Sequence, residues 1–243
     1  MDANVDSLIM ILRDGRENRL RQIAALALAQ LHNTQPSARD DDGFAAIVDA
    51  TNDGDPAVRS TAIQALGYFQ RPESVDAIRG VLTREDDAAI RASIVSSLGF
   101  LDIPETVEPL TAIALDSGGE QKTRMSALSS LEQVATESEM LALSPLLTDS
   151  EPSVRARTAL AISRTTASID LNRLVGFAMD DAVDEYTNEL LIHHIETIFG
   201  AKIIDSSSFA TRGDRKKQLQ SWWAQNKNSV SAKQPSSHEL PED

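Results

Sequence analysis

Asp55-Pro56-Ala57-Val58-Arg59-Ser60-Thr61-Ala62-Ile63-Gln64-Ala65-Leu66-Gly67 carries a helix together with its start signal. An acid followed by proline places a capping carboxylate ahead of a first-turn residue whose missing N–H costs nothing. Behind it Val58, Ala62, Ala65 and Leu66 recur at the spacing of one helical face. Small residues on that face let a neighbouring helix approach closely.

The stretch recurs. Leu20-Arg21, Val58-Arg59, Ile90-Arg91, Thr123-Arg124 and Val154-Arg155 mark five such helices, with the arginines 38, 32, 33 and 31 residues apart. Four residues before each arginine stands an acid, Glu17, Asp55, Asp87, Glu120 and Glu151 in turn. A second series of shorter apolar helices begins at Val5, Phe44, Val75, Val107, Met140 and Leu171, spaced by 39, 31, 32, 33 and 31 residues. Two independent patterns therefore share one period, the signature of stacked helix pairs. The long first interval fits an insertion from Asn33 to Gly43, whose Pro, Ser and Asp-Asp-Asp-Gly composition reads as a surface loop. Pro109 and Pro145 fall within shorter helices and are expected to bend or shorten them.

Composition agrees. Hydrophobic residues make up 41% and aromatics only 4% of the 243 residues, which suits helix-on-helix packing better than a sheet. A net charge of −14 opposes a polyphosphate partner, so neither DNA nor RNA is expected. The count of zero cysteines removes disulfides, thiolate metal sites and a cysteine nucleophile. The N-terminus lacks the layout of a signal peptide and no apolar run reaches the length of a membrane span, so the expectation is a cytoplasmic protein with no membrane partner.

The period, the Asp55–Gly67 stretch and the paired helices resemble HEAT repeats, of the short type shared with phycobilin lyases. The resemblance covers residues 3 to about 164 well and runs more loosely to about 200. It implies an all-α fold, a right-handed α-α superhelix of about six helix pairs plus a C-terminal capping helix. Residues 1–212 form the solenoid, 213–227 a capping helix with Leu219, Trp222 and Trp223 on one side, and 228–243 a disordered tail. Trp222 and Trp223 beside Arg215, Lys216 and Lys217 also suit an aromatic and basic contact site, but a cap over the last repeat explains them as well. The sixth long helix, about Ala182 to Phe199, lacks the arginine, as suits a terminal unit.

The acid and arginine pairs Glu17/Arg21, Asp55/Arg59, Asp87/Arg91, Glu120/Arg124 and Glu151/Arg155 are, on this resemblance, a structural ladder joining successive repeats and not acid–base dyads. Other candidates for chemistry are sparse. His193, His194 and Glu196 lie close in sequence, but adjacent histidines diverge by about 100° on a helix. The acidic segments Asp40-Asp41-Asp42-Gly43 and Asn52-Asp53-Gly54-Asp55 lack the spacing and closing glutamate of a calcium loop. No catalytic residue, metal site or cofactor is expected.

The resemblance also implies a functional surface. Short HEAT repeats turn their arginine helices to the concave face, with positions one, two and five after the arginine outward. Here these are Gln22, Ile23 and Leu26; Ser60, Thr61 and Gln64; Ala92, Ser93 and Ser96; Met125, Ser126 and Ser129; and Ala156, Arg157 and Leu160, bordered by Tyr68 and Phe100. These fifteen strip positions hold one charge, Arg157, and a neutral strip suits a helix or an extended peptide. The expected function is a non-catalytic scaffold or adaptor that grips a partner protein or peptide. The alternatives are a bilin or chromophore lyase, or a chaperone-like subunit of one, and more remotely a metal-dependent enzyme. Arg91, a rung of the ladder, should matter more to stability than Arg157, which lies on the strip.

Overall fold

The computed structural model describes residues 2–34, 40–166, 170–204 and 211–230. Among them every regular element is helical, with thirteen α-helices and two short 3₁₀ segments. The chain divides into two units, Met1–Ala135 and Thr136–Asp243.

The first unit holds four pairs: α1 (Asp2–Asp14) with α2 (Asn18–Thr34), α3 (Asp40–Ala50) with α4 (Pro56–Gly67), α5 (Pro72–Leu82) with α6 (Ala88–Leu101), and α7 (Val107–Leu115) with α8 (Gln121–Val134). The second member of each pair carries the arginine. These arginine helices stack in order, α2 on α4, α4 on α6 and α6 on α8, and α1 packs on α3. Side chains at the predicted apolar offsets close the core, so that Ala62, Ala65, Leu66, Ile94, Leu98, Ala127, Leu128 and Leu131 are fully buried. Close stacking is enforced at Gly67 and Gly99, one repeat apart. A Cβ on Gly67 would stand 3.3 Å from the Ser97 carbonyl oxygen, and one on Gly99 would stand 2.5 Å from Ser130 Oγ.

Local chemistry accounts for the helix starts. Asp55 accepts hydrogen bonds from the Ala57 and Val58 amides, and Asp87 from Ala89 and Ile90, which satisfies first-turn donors that have no partner within the helix. Asp40 to Gly43 is not loop, contrary to its composition, but the first turn of α3. Carboxylates there meet the positive end of the helix dipole, so a run of three aspartates begins a helix as readily as it fills a turn. Asn33 and Thr34 likewise belong to α2, and the remainder of the expected insertion lies outside the described residues. Pro109 sits in the first turn of α7, directly after a 3₁₀ segment at Pro104–Thr106, where it costs no hydrogen bond.

The second unit holds α9 (Glu137–Leu141), a 3₁₀ segment at Ser144–Thr148 containing Pro145, α10 (Pro152–Thr166), α11 (Leu171–Met179), α12 (Glu185–Phe199) and α13 (Arg212–Val230). Proline has shortened its helix here, with α9 ending before it and a tighter turn taking over. The sixth long helix starts at Glu185, later than its sequence suggests, because Asp184 caps it. The C-terminal helix is longer than residues 213–227, and residues 231–243 of the expected tail lie outside the described residues.

The last helix closes the unit. α13 packs against α11, buries Leu219 completely, and sets Trp222 edge-on to Phe199 at a ring separation of 4.7 Å. Arg215 bonds to Glu185 at 2.9 Å and also to Glu189, and Lys216 pairs with Asp181 at 2.5 Å. Two of the three basic residues that stood as a possible contact site, Arg215 and Lys216, are thus turned onto α12 and the loop before it, while Lys217 is exposed. A chain ending at residue 204 is expected to expose the face beneath α13 and to bind a hydrophobic dye that the full chain does not. Leu219→Ala in the full chain should cost about 2–5 kcal/mol in chemical denaturation.

Candidate functional site

Of the repeated arginines, Arg21, Arg59, Arg91 and Arg155 do not bond to the acids four residues before them. Most reach forward to an acid in a loop of the next repeat. Arg21 forms a two-bond fork with Asp53, 2.8 Å on each arm, Arg59 meets Glu85 at 2.9 Å, and Arg91 meets Asp116 at 2.7 Å. In the second unit Arg155 faces Asp180 at 3.8 Å. Each guanidinium also holds its own loop where geometry allows, as Arg59 does on the Asp53 and Gly54 carbonyls and Arg155 on those of Asp149 and Ser150. Arg124 is buried and donates from Nε to the Ala114 carbonyl at 3.0 Å.

Three of the acids at the minus-four positions have other work. Asp55 and Asp87 are helix caps, Glu120 accepts from Thr123 Oγ1, and Asn18 bonds to Asp55. The geometric reason is that a cap sits at the helix start with its carboxylate committed to amides, whereas a loop acid one repeat on lies across the stacking interface. Asp53 shows the consequence. Burial acts to raise its pKa, but the Arg21 hydrogen bonds, the Asp55 amide and the charges of Arg21 and Arg59 outweigh it and hold the carboxyl below the ordinary range.

Sequence also missed the sixth rung. Asn188 stands where the arginine period falls, 33 residues after Arg155, and its side-chain amide donates to the Ala178 carbonyl at 2.5 Å. This matches the Arg124 bond to Ala114, since each reaches ten residues back. Spacing alone pointed to Asn188; its short, neutral side chain hid it.

The strip positions divide between the two units. In the first, Ile23, Leu26, Gln64, Ala92, Ser96 and Ser126 are exposed, and Gln22, Ser60, Thr61, Met125 and Ser129 are half-buried. Ser93 is buried and shares a 2.8 Å hydrogen bond with Ser60 across α4 and α6. Thr61, Ser96 and Ser129 donate to carbonyls one turn back in their own helices, so the face is less polar than its composition suggests. Tyr68 and Phe100 meet edge-to-face at 5.0 Å, 40% and 53% exposed.

In the second unit the same offsets do not face solvent. Ala156 and Leu160 are fully buried and Arg157 is 6% exposed, because α9, the Ser144–Thr148 segment, α11 and α12 all pack around α10. Arg157 is therefore no strip residue, and it cannot serve as the exposed counterpart to Arg91.

The remaining candidates are structural in geometry. Glu196 Oε1 accepts the Ile203 and Ile204 amides at 2.8 Å each, beyond the Gly200 turn that ends α12. His194 is half-buried, and burial first, then the charges of Arg164 and His193, push its pKa below the ordinary histidine value. Among the described residues no group of three His, Cys, Asp or Glu is placed to hold a metal ion, and no helix is long and apolar enough to cross a membrane.

Residues 44–132 match the family model for HEAT repeats. Helix pairs of the same period flank the matched residues on both sides. No curated protein matches the chain in sequence. Among solved structures, the chain is similar to an engineered protein, at 17% identity over 81% of this chain and 96% of the other, with a TM-score of 0.48. It is also similar to the complex of CpcE and CpcF of phycocyanin lyase from Nostoc sp. PCC7120, at 16% identity over 91% of this chain and 94% of the other, with a TM-score of 0.48.

These bonds set two expected outcomes. Arg91→Ala should lower the melting temperature by about 2–6 °C, whereas Lys122→Ala, exposed and outside the ladder, should leave it within about 1 °C in the same calorimetric scan. His194 resists protonation when folded and accepts it near pH ~6.5 when unfolded. The unfolded chain thus binds more protons in that window, and stability falls as pH drops through it. His194→Gln should flatten the decline in melting temperature between about pH 7.5 and 5.5.

Proposed function

We propose that the protein is a non-catalytic scaffold or adaptor that holds a segment of a partner protein against the arginine-helix face of its first unit. The observation that carries this reading is the exposed row of small and uncharged side chains on α2, α4, α6 and α8, ending at the Tyr68 and Phe100 pair. Its small uncharged positions offer contact at low desolvation cost, and the hydroxyls of Thr61, Ser96 and Ser129 are already satisfied within their own helices. Exposed aromatics that pack against each other lose little side-chain entropy on contact, which favours them as anchors.

The chain's strongest charged groups support a structural and not a chemical role. The arginines and their acids are engaged across repeats, and the Glu196 carboxylate holds backbone amides. These bonds support reading the exposed face of the first unit as the surface offered to a partner.

The experiment is a quantitative pull-down from native lysate with wild type and with a Gln64→Glu, Ser96→Glu, Ser126→Glu variant. The three positions are exposed, so the charges enter the face without disturbing the Ser60–Ser93 bond. A partner lost by the folded variant supports the reading. A partner retained equally places binding elsewhere, and a coloured, bilin-bearing complex favours a lyase role.

A further inference from the structure

The charges of the first unit are sorted by helix. The arginine helices α2, α4, α6 and α8 carry six Lys and Arg residues and a single acid, Glu132. Their partner helices α1, α3, α5 and α7 carry ten acids and only Arg13 and Arg79. In a chain of net charge −14, the exposed side of the arginine helices therefore has no carboxylate except the half-buried Glu132.

Four of the six cations are occupied, Arg21, Arg59 and Arg91 by loop acids and Arg124 by a buried carbonyl. The other two, Arg19 and Lys122, are exposed and form no ion pair among the described residues. Both stand two residues before the ladder position, which at about 100° per residue is the centre of the outward face. Ala57 and Ala89, at the same position on the helices between them, are exposed and too small to obstruct. Nine residues after the ladder position, on the same face, lie Gln30, Tyr68, Phe100 and Gln133, all exposed. The face thus has cations at the N-terminal end of its helices and an aromatic pair with flanking amides at the other, about 16 Å apart at roughly 1.5 Å per residue.

We propose that this face takes an acidic polypeptide segment bearing one bulky apolar residue, with the apolar side chain seated on Tyr68 and Phe100 and the carboxylates directed to Arg19 and Lys122. The inference rests on the scaffold reading above and adds the chemistry of the partner. A basic segment would leave Arg19 and Lys122 opposed by like charge. The acids of α1, α3, α5 and α7 lie a helix layer behind the face, roughly 10 Å back, and a Debye length of about 8 Å at physiological salt screens them there. Of the nearer acids, Asp55 and Asp87 are committed to the backbone amides of their own helix starts and Glu120 accepts from Thr123 Oγ1, which leaves Glu17 exposed two residues before Arg19. Flanking Gln30 and Gln133 offer both donors and acceptors to an extended main chain. Each cation lies one helix to the side of an aromatic, so about 16 Å along the axes and about 9 Å between them give a span of about 18 Å, roughly six extended residues at about 3.3 Å each.

The test is selection of a displayed library of random dodecapeptides on the full-length protein, followed by anisotropy with the synthetic consensus. The expected consensus has two or more Asp or Glu residues and one Leu, Ile, Met or Phe about six positions away. Tyr68→Ala with Phe100→Ala, and separately Arg19→Glu with Lys122→Glu, should each weaken binding about tenfold or more, while Ile198→Ala in the second unit leaves it unchanged. Both members of the charge-reversal pair are exposed, so it remains informative should the aromatic variant fail to fold. Selected peptides that are neutral or basic yet lost by the aromatic variant would overturn the acidic chemistry and leave the scaffold reading standing. Acidic peptides indifferent to both variants would overturn the site. Binding of oligo-dT in place of peptides, lost by Arg19→Glu with Lys122→Glu, would overturn the peptide and assign the cations to a phosphate backbone. A wild type that selects nothing would overturn the scaffold reading as well.

Discussion

A guanidinium that in most repeats reaches forward to a carboxylate in a loop of the next is the interaction on which the stacking of the pairs depends. Hydrophobic burial drives helix pairs together but does not by itself fix how one pair is set against the next. The bonds from Arg21 to Asp53 and from Arg59 to Glu85 supply that setting, because planar donors and acceptors match in few orientations. Both pairs are largely withdrawn from water, at 13–22% side-chain exposure, where a charged partner left alone would be costly. Gly67 and Gly99 then allow the arginine helices the close approach that this setting demands.

The ladder and the open face are two sides of the same helices. Residues turned toward the neighbouring repeat are used for packing and for loop bonds. Those turned outward are mostly uncharged, with Arg19 and Lys122 at the N-terminal end of the face, and the hydroxyls of Thr61 and Ser96 fold back onto carbonyls of their own helices. That division leaves the first unit with an exposed surface of low desolvation cost, while α10 in the second unit is enclosed by its neighbours at the same offsets.

The periodic part of this arrangement was legible from sequence, because Arg59, Arg91 and Arg155 recur with apolar residues at fixed distances. Helix pairing and the apolar core follow from those offsets alone. The partners of the arginines were not legible, since Asp53, Glu85 and Asp116 sit in loops whose acids all look alike until the chain is folded. Asp40 to Asp42 illustrates the same limit, for aspartate is equally at home in a turn and at a helix start. Arg157 was misplaced because offset from the ladder fixes direction on a helix but not what packs there. Asn188 was overlooked because its role depends on the amide and not on charge.

The sixth rung carries a consequence for how such a chain can lengthen or shorten over descent. Arg21, Arg59 and Arg91 each bind the neighbour on their C-terminal side, so duplication of one of these helix pairs brings both a new reaching group and a new acceptor, and the seam heals at each junction. Asn188 grips only a carbonyl of its own helix pair and extends no charge onward. It acts as punctuation. A helix pair placed directly after it would meet no charged donor from Asn188, unlike one placed after Arg21, Arg59 or Arg91.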